Sequence, residues 1–103
     1  MTPKEFAEKY IYADRETRAQ LISFLFSGIT PEWAEEVYRT LLEERESKAL
    51  SFLVDIPSEV CIKLCDNNPS LKGFLISYLK DYVAYREPIL TVAERQLLAK
   101  LEK

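Results

Sequence analysis

Residues 30–55, TPEWAEEVYRTLLEERESKALSFLVD, carry the pattern that decides the fold. The side-chain oxygen of Thr30 can accept a hydrogen bond from the first turn of a helix, and Pro31 has the backbone angle that a first helical residue needs. From Trp33 to Leu53 the apolar residues recur every three or four positions, which is the spacing of one helical face. The stretch therefore predicts a helix that begins at Pro31.

The apolar pattern lapses at Arg45 and Glu46, where the spacing requires apolar side chains. One long helix with a polar turn and two helices that meet near Glu46-Ser47 both fit this lapse. We expect a break or kink at this point.

The opposite side of the stretch is acidic, although the net charge of the whole chain is only −3. Residues 32–46 contain Glu32, Glu35, Glu36, Glu43, Glu44 and Glu46 against Arg39 and Arg45. Such a side is commonly solvated, with weak pairing between Glu35 and Arg39 one turn apart. The alternative is an acidic ridge that docks a basic partner, and we define this ridge as Glu35, Glu36, Arg39, Glu43 and Glu44.

Further helix starts and stops flank the central stretch. Thr2-Pro3-Lys4-Glu5 and Thr91-Val92-Ala93-Glu94 are capping boxes. Gly28 and Asn67-Asn68 are natural stops, because both residue types tolerate the left-handed conformation. With Asp14 and Asn68 as caps and Pro57 and Pro69 as first residues, the predicted helices cover residues 3–12, 15–27, 57–66 and 69–86, and a last helix follows Thr91.

The fold predicted from these signals is all-α. Two glycines and no long alternating run argue against a sheet. We predict that residues 1–103 form a single domain, a compact bundle of about six helices built from antiparallel helical hairpins, one of which joins residues 15–27 to the central stretch. Residues 21–26, LISFLF, are apolar on nearly all sides and are the candidate for the buried centre, where Phe24→Ala would cost about 3–5 kcal/mol. Gly73 inside the predicted helix 69–86 suggests a neighbouring backbone that packs closely there.

The chain lacks the residues of common catalytic and metal sites. Without histidine, the common general base and the usual partner of a serine or cysteine nucleophile are missing. Cys61 and Cys65 cannot complete a four-ligand zinc site and are poorly spaced for a disulfide, so we expect buried thiols in a cytoplasmic protein. No apolar run reaches the length of a membrane span, and residues 1–5 lack the character of a secretory signal. We expect neither enzyme activity nor a cofactor.

Residues 57–80 have the order of a helix-turn-helix, with a turn at residues 66–68. The second helix of a DNA-binding version carries polar and basic side chains at its start. Here that helix offers Ser70, Lys72 and Ser77 among apolar residues, and a pI near 5 also disfavours a nucleic-acid binder.

Six tyrosines are present, and tyrosine is enriched at protein interfaces. They can instead rim the core with their hydroxyl groups in water. If they are functional, Tyr78, Tyr82 and Tyr85, together with Arg86, form a contact surface that we call the aromatic patch.

These observations favour a non-catalytic protein-interaction or regulatory module, such as an adaptor, an inhibitor or a small subunit. It would bind a protein partner, or a second copy of itself, through the aromatic patch and the acidic ridge. The alternative is an acidic nucleic-acid mimic that occupies a basic groove of another protein. A helix-turn-helix DNA-binding protein is the third hypothesis.

Overall fold

The computed structural model describes residues 1–83, 85 and 91–102, with the side chains of residues 82, 83 and 93 left out. Every regular element in these residues is a helix and none is a strand, which confirms the predicted all-α class. None of the described helices is long and apolar enough to cross a membrane. The elements are α1 (Pro3–Ile11), α2 (Arg15–Leu25), α3 (Pro31–Glu44), α4 (Glu46–Asp55), α5 (Ser58–Asp66), α6 (Pro69–Ser77), the π-helix π1 (Tyr78–Val83) and α7 (Val92–Leu101).

Four helices begin at the caps that the sequence predicts. The side chains of Thr2, Asp14, Thr30 and Thr91 each accept a hydrogen bond from the backbone N–H three residues on, at 2.8–3.2 Å. The capping box at Thr91 is complete, because the Thr91 N–H donates in turn to Glu94 Oε1 at 2.9 Å. Asn68 occupies the cap position of α6 without a side-chain hydrogen bond, so Pro69 carries that start.

The break expected near Glu46-Ser47 is present, slightly earlier, at Arg45. α3 ends at Glu44 and α4 begins at Glu46, with Arg45 between them in an extended conformation (φ −153°, ψ 107°). In a continuous helix the Arg45 side chain would lie on the apolar stripe, where its charge would lose hydration. A single extended residue leaves this side chain exposed to water.

The helix predicted over residues 69–86 differs from the observed one. It is α-helical to Ser77 and continues as π1, in which hydrogen bonds reach five residues instead of four. The predicted end near Arg86 lies outside the described residues. A hydrophobic pattern does not reveal this change, because the two helix types differ in hydrogen bonding and not in composition.

Two compact units divide the chain, Met1–Cys61 and Ile62–Lys103, and each has its own packing. The predicted single domain and its antiparallel hairpins stay predictions. In the first unit, α3 packs against both α1 and α4. Its core contains the fully buried side chains of Phe6, Ala7, Leu25, Ala34, Val37, Leu41, Ala49, Phe52 and Leu53.

Phe6, on α1, is the hub of an aromatic cluster in the first unit. The ring centroids of Tyr10, Phe24, Trp33 and Phe52 lie 5.2–6.1 Å from that of Phe6, a range typical of favourable ring pairs. These five residues, which we call the aromatic cluster, come from α1, α2, α3 and α4. Phe6 itself is 0% exposed.

The prediction that residues 21–26 form the buried centre is wrong. Leu21 and Leu25 are buried, but Phe24 is half-buried and Phe26 is 63% exposed. The rings of α1 and α4 take the central space, so α2 buries one stripe of its surface and leaves the rest in water. Phe24 covers the rim of the aromatic cluster.

The second unit has a leucine core. α6 packs against π1 and α7, and their buried side chains are Leu71, Leu75, Leu79, Leu97 and Leu101. Lys80 Nζ lies 2.6 Å from Glu102 Oε1, an ion pair that joins π1 to the residue after α7. Cys65 in this unit and Cys61 in the first are both buried thiols, as the sequence predicts.

No close neighbour explains Gly73. It is exposed in the middle of α6, and no described residue beyond the backbone of α6 itself lies within 4 Å of the position that a Cβ atom would take. Gly28 is different. It follows α2 with a φ of +109°, a backbone conformation that residues with a side chain rarely adopt, so this position requires glycine.

Phe6→Ala should lower the free energy of unfolding by about 3–5 kcal/mol, because it empties the centre of the aromatic cluster. Phe24→Ala should cost less than about 2 kcal/mol, since half-burial removes less apolar surface from water. Urea unfolding followed by circular dichroism measures both. A larger loss for Phe24→Ala than for Phe6→Ala would contradict this order.

Gly73→Ala should raise the free energy of unfolding by about 0.5–1 kcal/mol, because alanine restricts the unfolded chain and meets no obstacle in α6. Gly28→Ala is the matched control and should lower it by about 1–2 kcal/mol, because its Cβ would be strained at positive φ. Thermal unfolding of the two variants measures these opposite shifts. A destabilised Gly73→Ala variant would show that the position needs glycine.

Candidate interaction surfaces

One side of α3 is buried and the other faces water. Ala34, Val37 and Leu41 on the inner side are 0% exposed. At about 100° per residue, the side chains opposite them form a second stripe, all exposed, which we call the outer face of α3: Glu32, Glu36, Arg39 and Glu43.

The outer face of α3 overlaps with the predicted acidic ridge but differs from it. Glu36, Arg39 and Glu43 belong to both. Glu35 lies at the edge, half-buried, and its Oε1 is 2.8 Å from Arg39 Nη2, which confirms the predicted ion pair. Glu44 is exposed but lies about 100° around the helix from Glu43, so α3 does not bring it to this face.

Glu32 is a member of the outer face that the predicted ridge omits. The sequence contains the signal for this membership, because residues 32, 36, 39 and 43 are three or four positions apart, as residues on one side of a helix are. Three carboxylates and one guanidinium thus follow each other over about 16 Å of helix at 1.5 Å per residue. Leu42, 43% exposed, lies seven residues after Glu35 on the edge of this face and adds an apolar contact.

The aromatic patch is described in part. Tyr85 is 88% exposed and Tyr78 is half-buried, whereas the side chain of Tyr82 and all of Arg86 lie outside the described residues. Tyr78 and Tyr82 both belong to π1. Phe74 is 50% exposed and adds apolar surface to the second unit.

The start of α6 offers little to a DNA groove. Lys72 is the single base between Pro69 and Ser77, and its side chain is half-buried. Ser70 is exposed and Leu71 is buried. This composition favours a packing role for α6.

Asp55 joins α1, α2 and α4 of the first unit. Its Oδ2 accepts a hydrogen bond from the Tyr10 hydroxyl at 2.5 Å and one from Arg18 Nη2 at 3.1 Å. Burial lowers the pKa of Arg18. The negative charge of Asp55 and, after it, the interaction with Tyr10 outweigh this effect, so the pKa of Arg18 lies above its ordinary value. The sequence gives no sign of this contact, because 37 residues separate Arg18 from Asp55.

A basic depression of about 310 Å³ lies beside this contact, also within the first unit. We define it by its charged side chains, Asp14, Arg15, Arg18 and Lys48, and by its apolar wall, Ala13, Ala19 and Ile22. Arg15 and Arg18 are one turn apart on α2, whereas Lys48 comes from α4. The described residues contain no group of three or more His, Cys, Asp or Glu side chains placed to hold a metal ion.

Tyr10→Phe should lower the free energy of unfolding by about 1–2 kcal/mol, because it removes a partly buried hydrogen bond to a carboxylate. Tyr12→Phe is the matched control and should change little, since Tyr12 is 81% exposed. Chemical denaturation measures both. Equal stability of Tyr10→Phe and the unsubstituted protein would show that the bond contributes nothing.

The chain matches no protein-family model, and no curated protein or solved structure is significantly similar to it. Its function must therefore be inferred from its own surfaces. The outer face of α3, the exposed Tyr85 and the basic depression are the features from which such an inference can start.

Proposed function

We propose that the protein is a non-catalytic interaction module that docks a basic segment of a partner protein on the outer face of α3. The observation that carries this function is the exposure of Glu32, Glu36 and Glu43 on one stripe, with a single cation among them. Complementary charge steers a partner toward such a stripe and fixes its register.

The rigidity of α3 supports this role. Its inner side is fully buried against the first unit, and Thr30 caps its first turn with a hydrogen bond of 3.1 Å from the Trp33 N–H. A surface that is held in place before binding loses little conformational entropy when a partner binds. Its affinity for the partner is therefore higher than that of a flexible surface.

A protein partner suits the outer face better than the role of nucleic-acid mimic. Arg39 lies between Glu36 and Glu43 and interrupts the row of negative charge that a DNA strand would present. Leu42 at the edge, 43% exposed, offers apolar contact to a side chain of the partner. The aromatic patch, with Tyr85 88% exposed, would supply a further contact in the second unit.

The module would act in the cytoplasm as an adaptor, an inhibitor or a small subunit of a larger assembly. Two buried thiols, Cys61 and Cys65, are in keeping with a reducing compartment. A second copy of the chain is an alternative partner, and light scattering at increasing concentration would reveal such self-association.

The double substitution Glu36→Lys/Glu43→Lys should weaken binding of the native partner on the order of tenfold, because it turns attraction into repulsion on the outer face. The measurement is affinity capture of partners from the native source, followed by a titration with the partner that is recovered. Binding by the unsubstituted protein should also fall when salt rises from about 0.05 M to about 0.3 M, since exposed charges are screened.

The matched control is Glu59→Lys/Asp66→Lys, which changes the net charge equally at two exposed positions of α5. This control should retain the partner. Equal weakening by both double variants would mean that overall charge and not the outer face of α3 determines binding. Binding that does not respond to salt would contradict the proposed electrostatic docking.

A further inference from the structure

The basic depression is positively charged, although the chain as a whole is acidic. The protein carries a net charge of −3, yet three of the four charged side chains around this depression are cationic. Arg15 and Arg18 come from α2 and Lys48 from α4, so the fold brings them together across 30 residues of sequence. Converging cations in a concave site create a positive potential that attracts anions.

In the described part of the chain this positive charge is only partly neutralised, because Asp55 pairs with one cation and Asp14 in the same lining offsets a second. Arg18 is paired with Asp55 at 3.1 Å. Arg15 and Lys48, by contrast, have no ion-pair partner in the described part of the chain. Lys48 is half-buried, where an unpaired charge is less well solvated than at an open surface. A bound anion would compensate for this lost hydration.

The size of the depression indicates the class of ligand. At about 310 Å³ it lies at the lower limit of small-molecule sites, which measure about 300–1,000 Å³. Arginine guanidinium groups match the geometry of phosphate oxygens, and Arg18 has N–H donors besides the one that bonds Asp55. Ala19 and Ile22 add an apolar wall that inorganic phosphate would not use.

We propose that the basic depression binds a small organic phosphate, with the phosphate group between Arg15, Arg18 and Lys48 and the organic group against Ile22. This ligand site is separate from the outer face of α3. It does not depend on the function proposed for that face.

Asp14 also lines the depression, and its negative charge should weaken the binding of an anion there. Removal of this charge therefore tests the site. The Asp14 carboxylate accepts the Thr17 N–H at 2.8 Å, and this backbone hydrogen bond, with a side-chain bond from Thr17, lowers the pKa of Asp14 below its ordinary 3.8. The group is therefore ionised at neutral pH. Asparagine caps a helix as well as aspartate does, so Asp14→Asn removes the negative charge and keeps the cap.

The test is a titration of the full chain with phenyl phosphate, monitored by calorimetry and by backbone amide NMR shifts. Saturable binding is expected, with the largest shifts at residues 13–22 and at Lys48. Inorganic phosphate, titrated in parallel, should bind more weakly because it makes no contact with the apolar wall. No saturable binding of either probe would overturn the proposal.

Four single variants assign the site. Arg15→Gln and Lys48→Gln should each raise the Kd for phenyl phosphate about two- to fivefold, the range for exposed ion pairs, and Asp14→Asn should lower it by a similar factor. Lys63→Gln, which removes one exposed charge from α5, should leave the Kd unchanged. A Lys63→Gln effect as large as that of Lys48→Gln would overturn the site, and equal affinity for the two probes would overturn the role of Ile22.

Discussion

The packing of four aromatic rings around Phe6 is the interaction on which the first unit depends. Each ring comes from a position fixed by its own helix: Tyr10 by α1, Phe24 by α2, Trp33 by α3 and Phe52 by α4. Aromatic side chains bury large areas and prefer particular ring orientations, so they constrain helix positions more strongly than aliphatic ones. The four helices take positions that keep these rings packed against Phe6.

This arrangement decides which surfaces reach the solvent. Because α3 is held between α1 and α4, its opposite side remains open along the whole helix. α2 contributes Phe24 only at the rim of the aromatic cluster, and its first turns are largely exposed, so Arg15 and Arg18 lie at the surface. The acidic and the basic surfaces of the first unit are thus both consequences of the packing inside the aromatic cluster.

Local signals in the sequence predict the elements well, and tertiary contacts explain the features that these signals miss. The caps at Thr30 and Asp14 act on neighbouring N–H groups, so a few residues suffice to recognise them. The Glu35–Arg39 pair is equally local. The bond between Tyr10 and Asp55, the meeting of Lys48 with Arg15 and the half-burial of Phe24 depend on how helices pack, and helical spacing does not specify which helices will be neighbours.

The π-helix after Ser77 has a consequence for how the chain tolerates changes in length. A π turn holds more residues than an α turn and keeps the backbone hydrogen-bonded, so π1 stores a surplus of chain that the helix can give up. Deleting one residue between Tyr78 and Val83 would let the segment return to α-helical winding, so the residues after it would keep nearly the same orientation. The segment from Tyr78 to Val83 can therefore absorb the loss of one residue within the helix itself.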